Sequence, residues 1–116
     1  MITNRTPLGE IRYSNEYFTT LVGEAAKSCY GVAAMTSRGV TDTVRSFVRG
    51  ADFTEKGVIV RQEDGRLIVE LHIAVTYGLN IAAAAESISH RVQETVEDAS
   101  GMKVGRVIVY VDDILE

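Results

Sequence analysis

Val58-Ile59-Val60-Arg61-Gln62, then Glu63-Asp64-Gly65, then Arg66-Leu67-Ile68-Val69-Glu70-Leu71-His72-Ile73-Ala74-Val75-Thr76-Tyr77 reads as two strands joined at a tight turn. Leu67, Val69, Leu71, Ile73 and Val75 alternate with the more mixed series Ile68, Glu70, His72, Ala74 and Thr76, the period-2 pattern of a sheet with one face buried. The Asp-Gly pair supplies the positive-φ conformations that a two-residue hairpin needs, so the two segments are expected to pair antiparallel.

Working outward, the pattern changes period on both sides of this hairpin. Downstream, Gly78 ends the strand and Asn80 is placed to cap a helix, with Leu79 packing on its first turns. Ile81, Ala85, Ile88, Val92, Val96 and Ala99 then form an apolar stripe at helical spacing, and Gly101 offers the exit. Lys103 to Val111 is expected as the last strand, with Val107, Val109 and Val111 on one face and Ile108 and Tyr110 on the other. Upstream, Gly9 to Tyr13 reads as a short strand. Ser14 or Asn15 caps a helix that carries Phe18, Leu21, Val22, Ala25, Ala26 and Cys29 on one side and ends near Gly31, before a brief extended segment Val32 to Met35. Thr36 to Lys56 has weak periodicity, with a short helix expected within Val40 to Val48. Together these elements predict a two-layer α+β domain over residues 1–116: a mostly antiparallel sheet covered on one face by two main helices, with a variable segment at about 36–56.

The order of four junctions carries a resemblance. Gly9-Glu10-Ile11 precedes the first helix and Gly31-Val32-Ala33-Ala34-Met35 follows it; Val75-Thr76-Tyr77-Gly78-Leu79-Asn80-Ile81 precedes the second, and Ser100-Gly101-Met102-Lys103-Val104 opens the valine-rich last strand. Over about residues 9 to 112 this arrangement resembles the alkaline shock protein family, also called the envelope stress response family, found mainly in Gram-positive bacteria. The resemblance implies a cytoplasmic domain linked to envelope homeostasis or alkaline stress, with no established enzymatic reaction; some members reach membranes through a separate partner. It carries over no catalytic residues. The segment between Met35 and Gly57 is longer than the compact linker of many relatives.

Composition narrows the function classes. A formal net charge of -4, with acidic residues in excess near the C-terminus, does not favour nonspecific binding along a phosphate backbone. The single cysteine, Cys29, has no intrachain partner and reads as a small buried side chain. No secretory signal or membrane-spanning run is evident, since Ala82 to Ala85 is short and closely followed by polar residues, so the expected location is cytoplasmic.

Catalytic chemistry finds no constellation. His72 and His90 are the only histidines; Glu86 and Glu94 flank His90 at one helical turn, the spacing of ordinary surface pairing. Glu63-Asp64 and Asp112-Asp113 are local doublets at a turn and a terminus, and neither sets carboxylates on opposite sides of a reacting bond. Phosphate-loop, dinucleotide, CxxC and GxSxG motifs are missing. No catalytic, cofactor or metal residue is therefore assigned.

A nucleic-acid module is the alternative. It would require Arg38, Arg45, Arg49 and Arg61 to converge as a basic patch, and it lacks both a GxxG loop and an aromatic strand signature. Tyr17, Tyr30, Tyr77 and Tyr110 read as core margins rather than a stacking platform. The favoured surface is the less buried sheet face, where Ile68, Ala74, Ile108 and Tyr110 could meet a second copy or a membrane-associated protein. An interaction or scaffold role ranks first, nucleic-acid binding second and a small-ligand enzyme third.

Overall fold

The structure, a computed structural model, describes residues 2–35, 52–53, 57–78 and 80–115. The chain opens with a hairpin of β1 (Ile2–Thr6) and β2 (Gly9–Tyr13), followed by α1 (Asn15–Lys27) and β3 (Val32–Met35). β4 (Asp52–Phe53), β5 (Val58–Glu63) and β6 (Arg66–Thr76) come next, then α2 (Ile81–Ser100) and β7 (Val104–Leu115). The expected variable segment, with its Val40 to Val48 helix, lies outside the described residues apart from Asp52 and Phe53, which pair antiparallel with β5.

Among the described residues, β6 is the spine of a five-stranded sheet. One of its edges pairs antiparallel with β5 over Arg66–Leu71 and then with β3 over Ile73–Val75; its other edge pairs with β7 along its length. The hairpin turn forms as its residues dictate: Asp64 and Gly65 have φ of 50° and 77°, the left-handed pair of a type I′ turn. The sheet is mostly antiparallel, as expected, but β7 runs parallel to β6. Period-2 alternation is blind to strand direction, whereas α2 provides the long crossover that a parallel pair needs.

Both described helices lie on one face. Phe18, Val22, Ala25 and Ala26 of α1 and Ile88, Val92 and Val96 of α2 join Leu67, Val69, Leu71, Ile73 and Val75 in a single buried cluster. Ser14 caps α1 by accepting the Tyr17 N–H at 3.2 Å, and Asn80 caps α2 by accepting the Ala83 N–H at 3.1 Å. Gly101 closes α2 at φ 72°. Beyond it, Glu97 accepts the Val104 N–H at 2.9 Å, the main reason its carboxyl lies below the usual range, and this bond sets where β7 begins.

Four expectations shift. α1 stops at Lys27 rather than near Gly31, because the Ser28 hydroxyl donates back to the Ala25 carbonyl at 2.7 Å and Cys29 N–H bonds Ala26 O, tightening the last turn. Cys29 thus sits just past the helix and is only partly buried. The α2 stripe ends on buried Ser100, not on exposed Ala99, and Ile81 is 37% exposed at the first turn. Tyr30 and Tyr77 lie on turns beyond their elements and are largely in water, whereas Tyr17 stacks on Tyr13 with ring centroids 5.3 Å apart. Finally, β1 has no counterpart among the expected elements; it is tied down by Ile2 in the core and by Asn4 and Tyr13 side chains donating to the Ser100 carbonyl at 3.3 and 2.8 Å.

Candidate interaction surface on the open face of the sheet

Alternation puts Ile68, Glu70, His72 and Ala74 of β6 on the face away from the helices, with Ile59 and Arg61 of β5 on one side and Arg106, Ile108 and Tyr110 of β7 on the other. The register sets Glu70 between Ile59 and Ile108, and His72 beside Tyr110. Two irregularities in the β6–β7 ladder bracket this region. One lies at Gly105, where an added Cβ would stand 3.3 Å from the Arg66 Cβ; the other lies after Val111, where Asp112 is the extra residue.

The second bulge aims Asp112 at His72, with Oδ2 2.8 Å from Nδ1. The Tyr110 ring lies flat over the imidazole at 4.4 Å between centroids, 8° from parallel. The Tyr110 hydroxyl donates to Glu70 Oε1 at 3.1 Å, and Glu70 Oε2 takes the Arg61 guanidinium, which also lies 3.9 Å from Glu63. One connected network therefore runs Arg61, Glu70, Tyr110, His72, Asp112 across three strands. The hydrogen bond to Glu70, and next its negative charge, raise the Tyr110 phenol above the ordinary tyrosine range.

That shift gives a test. Changing Glu70 to glutamine removes the charge, so the Tyr110 titration is expected to fall back toward about 10, followed by NMR of the ring. The folded-state pKa is raised, so the contact's stabilising contribution is present below the unfolded value and disappears as pH rises through the folded one. An unchanged midpoint would mean that the Glu70 charge does not govern the phenol, since the glutamine oxygen can still accept its hydrogen bond.

The four residues expected as a partner surface do share this face, but they present it unequally. Ile68 and Ala74 are 8% and 5% exposed, Ile108 is half-buried, and Tyr110 is 40% exposed. A partner would therefore meet Tyr110 and Ile108, with Ile68 and Ala74 as their floor. Of the expected basic patch, Arg61 is committed to Glu70, while Arg38, Arg45 and Arg49 lie outside the described residues. His72 is a nearly buried member of the network; His90 is exposed on α2. Sequence reasoning missed Glu70 and Asp112 as organisers, although Glu70 in the middle of an apolar strand was the available signal.

Elsewhere, a groove of about 630 Å³ between α2 and the turn that follows α1 is bordered by Cys29, Asn80, Ser87, Arg91 and Glu94. Burial pushes the Cys29 thiol up, against a smaller opposing effect of Arg91. Among the described residues, no group of three or more His, Cys, Asp or Glu side chains is set to hold a metal ion.

Against known proteins, a model of the alkaline shock protein 23 family, described by its "cell envelope-related function", matches residues 3–115. The chain belongs to the alkaline shock protein 23 family. The ordered junction motifs and the whole-chain match thus agree on one family. This alkaline shock family chain is 34% identical over 111 residues to the uncharacterized protein YloU of Bacillus subtilis (strain 168), covering 95% of this chain and 92% of that one. It is 31% identical over 107 residues to the uncharacterized protein Spy1614 of Streptococcus pyogenes serotype M6, with coverages of 91% and 88%. Among solved structures it is similar to a variant of the MamM CTD, at 20% identity and a TM-score of 0.47, covering 84% of this chain and 93% of that one.

Proposed function

We propose that this alkaline shock family protein is a non-catalytic interaction or scaffold protein of the cell envelope, working in the cytoplasm and binding a protein partner through the open sheet face around Tyr110 and Ile108. Contact with the membrane goes through that partner. Among the described residues, no helix is long and apolar enough to cross a membrane. The observation that carries the reading is that polar side chains around Tyr110 are already partnered within the chain: Arg61 pairs with Glu70, and His72 is hydrogen-bonded to Asp112. Docking over Tyr110 then removes water from an aromatic and an isoleucine that lie beside polar groups already hydrogen-bonded within the chain, which is the arrangement of an interface hot spot. The cell envelope-related description of the family supports the setting.

The nucleic-acid alternative loses one of its four arginines to Glu70, and Tyr110 alone on this face falls short of the row of described aromatic side chains on which successive bases would stack. The test is crosslinking in cells before and after alkaline or envelope stress, with recovery from membrane and soluble fractions. Ile108→Asp and Tyr110→Asp are each expected to reduce recovery of a defined envelope protein at least about tenfold while thermal unfolding stays cooperative. Full recovery with both folded variants would sink the reading. Salt-sensitive RNA recovery that ignores both changes would favour the alternative.

A further inference from the structure

β7 runs from Val104 to Leu115, and among the described residues it is bonded on one side only, to β6. Over Val107–Val111 its outer edge carries backbone donors and acceptors that water or another strand must satisfy. Proteins usually blunt such an edge with charge, proline or a bulge. Here the run Val107-Ile108-Val109-Tyr110-Val111 has no charge and no proline, and both ladder irregularities lie outside it. Val107, Val109 and Val111 pack against the core on the helix side yet are only partly buried, so apolar surface remains along the strand.

We propose that this edge pairs with a second copy of the chain, β7 against β7, antiparallel about a two-fold axis at Val109. A strand that meets its own copy in a closed dimer must do so antiparallel, and the sequence selects the register. Centred on Val109, Arg106 stands opposite the partner's Asp112 and Ile108 opposite the partner's Tyr110 on the open face. Val107 then faces the partner's Val111 on the helix face, and Val109 faces itself. Centred on Ile108, Arg106 would meet the partner's Tyr110 and Asp112 the partner's Val104. Centred on Tyr110, Asp112 would lie against the partner's Ile108. Only the Val109 register joins opposite charges and an aromatic to a β-branched residue, the pairs that stabilise antiparallel ladders. Asp112 keeps its bond to His72, because a carboxylate accepts along several directions. Residues opposite one another share a face, so both helix layers fall on one side and the two open faces join into one surface. The dimer stands on the β7 edge and its register and does not depend on a protein partner at Tyr110.

The experiment uses the full chain with Cys29→Ser. Directly opposed Cβ atoms in such a ladder lie about 4.5–5.5 Å apart, close enough for a disulfide after a small adjustment. Under mild oxidation, Val109→Cys is expected to give a covalent dimer, whereas Thr20→Cys on the exposed side of α1 gives little. By sedimentation the Cys29→Ser chain should show a monomer–dimer equilibrium, weakened at least about tenfold by Arg106→Asp, which sets like charges opposite one another twice. Thermal unfolding verifies that the variants are folded. A monomer up to ~100 µM, or crosslinking of the Val109→Cys variant no greater than that of the Thr20→Cys variant, overturns the proposal; a dimer indifferent to Arg106→Asp overturns its register. If those failures occur while partner recovery still depends on Ile108, only the dimer is lost. A normal dimer alongside partner recovery indifferent to Ile108→Asp would leave the dimer standing and remove the scaffold reading.

Discussion

Replacing Phe18 with alanine is expected to destabilise the fold by about 3–5 kcal/mol, measured by urea unfolding at neutral pH. Phe18 is fully buried where α1 meets the sheet, and two rings hold it in place: Tyr13 edge-on at 5.1 Å and Tyr17 edge-on at 5.2 Å between centroids. Truncation removes the ring from the core and leaves a cavity that the stacked Tyr13–Tyr17 pair can fill only by giving up its own geometry. Tyr13 also donates its hydroxyl to the Ser100 carbonyl at the end of α2, so movement of Tyr13 would loosen the joint between the first hairpin and the second helix. Against a total stability of roughly 5–15 kcal/mol for an ordinary domain, such a loss leaves the protein marginal. Leu8, wholly exposed in the β1–β2 turn, is the control, and its alanine variant should change stability by less than about 0.5 kcal/mol. A Phe18→Ala loss below about 1 kcal/mol would contradict the packing described.

What the sequence made legible follows where local signals were sufficient. The Asp64-Gly65 turn set the β5–β6 register, and the alternation along β6 separated the helix face from the open face. Asn80 and Gly101 delimited α2 because each satisfies a backbone requirement readable from a single residue type. β1 was not legible because its Ile-Thr-Asn-Arg-Thr run buries one large apolar side chain and is held by bonds to residues distant in the chain. The two-residue β4 is too short for any period to register. The open-face network was half legible for a similar reason. Parity alone put His72, Ile108 and Tyr110 on one face, but bringing Tyr110 over His72 and Asp112 against it depends on the β6–β7 register and on the extra residue after Val111. Neither is encoded in a local pattern, and the Arg61–Glu70–Tyr110 link needs both ladders of β6 at once.

Glu70→Ala is expected to cost about 2–3 kcal/mol, a large effect for a residue outside the hydrophobic core. The carboxylate has 17% of its side-chain surface exposed and answers two donors from different strands, Arg61 on β5 and the Tyr110 hydroxyl on β7. Removing it strands a guanidinium whose remaining described contact, Glu63, is 3.9 Å away, and releases the phenol. The loss stays below the roughly 3–5 kcal/mol of a fully buried pair because Arg61 is about one-third exposed and can turn its head to water. A double-mutant cycle with Tyr110→Phe should give a coupling of about 0.5–1.5 kcal/mol, the share that belongs to the hydroxyl bond. Changing Arg61 and Glu70 together to Met and Leu should be far milder than Glu70→Ala, since no charge is then left without its counterpart. If Glu70→Ala cost less than about 0.5 kcal/mol, the network would be a solvated surface arrangement rather than an organiser of the face. The functional consequence separates these cases further. With Glu70 gone, Tyr110 keeps its stack on His72 but loses the bond that fixes its outer end, so partner binding through Tyr110 should weaken in a chain that still folds. Arg61→Met/Glu70→Leu should recover stability without recovering that binding, because the apolar pair offers the phenol no acceptor.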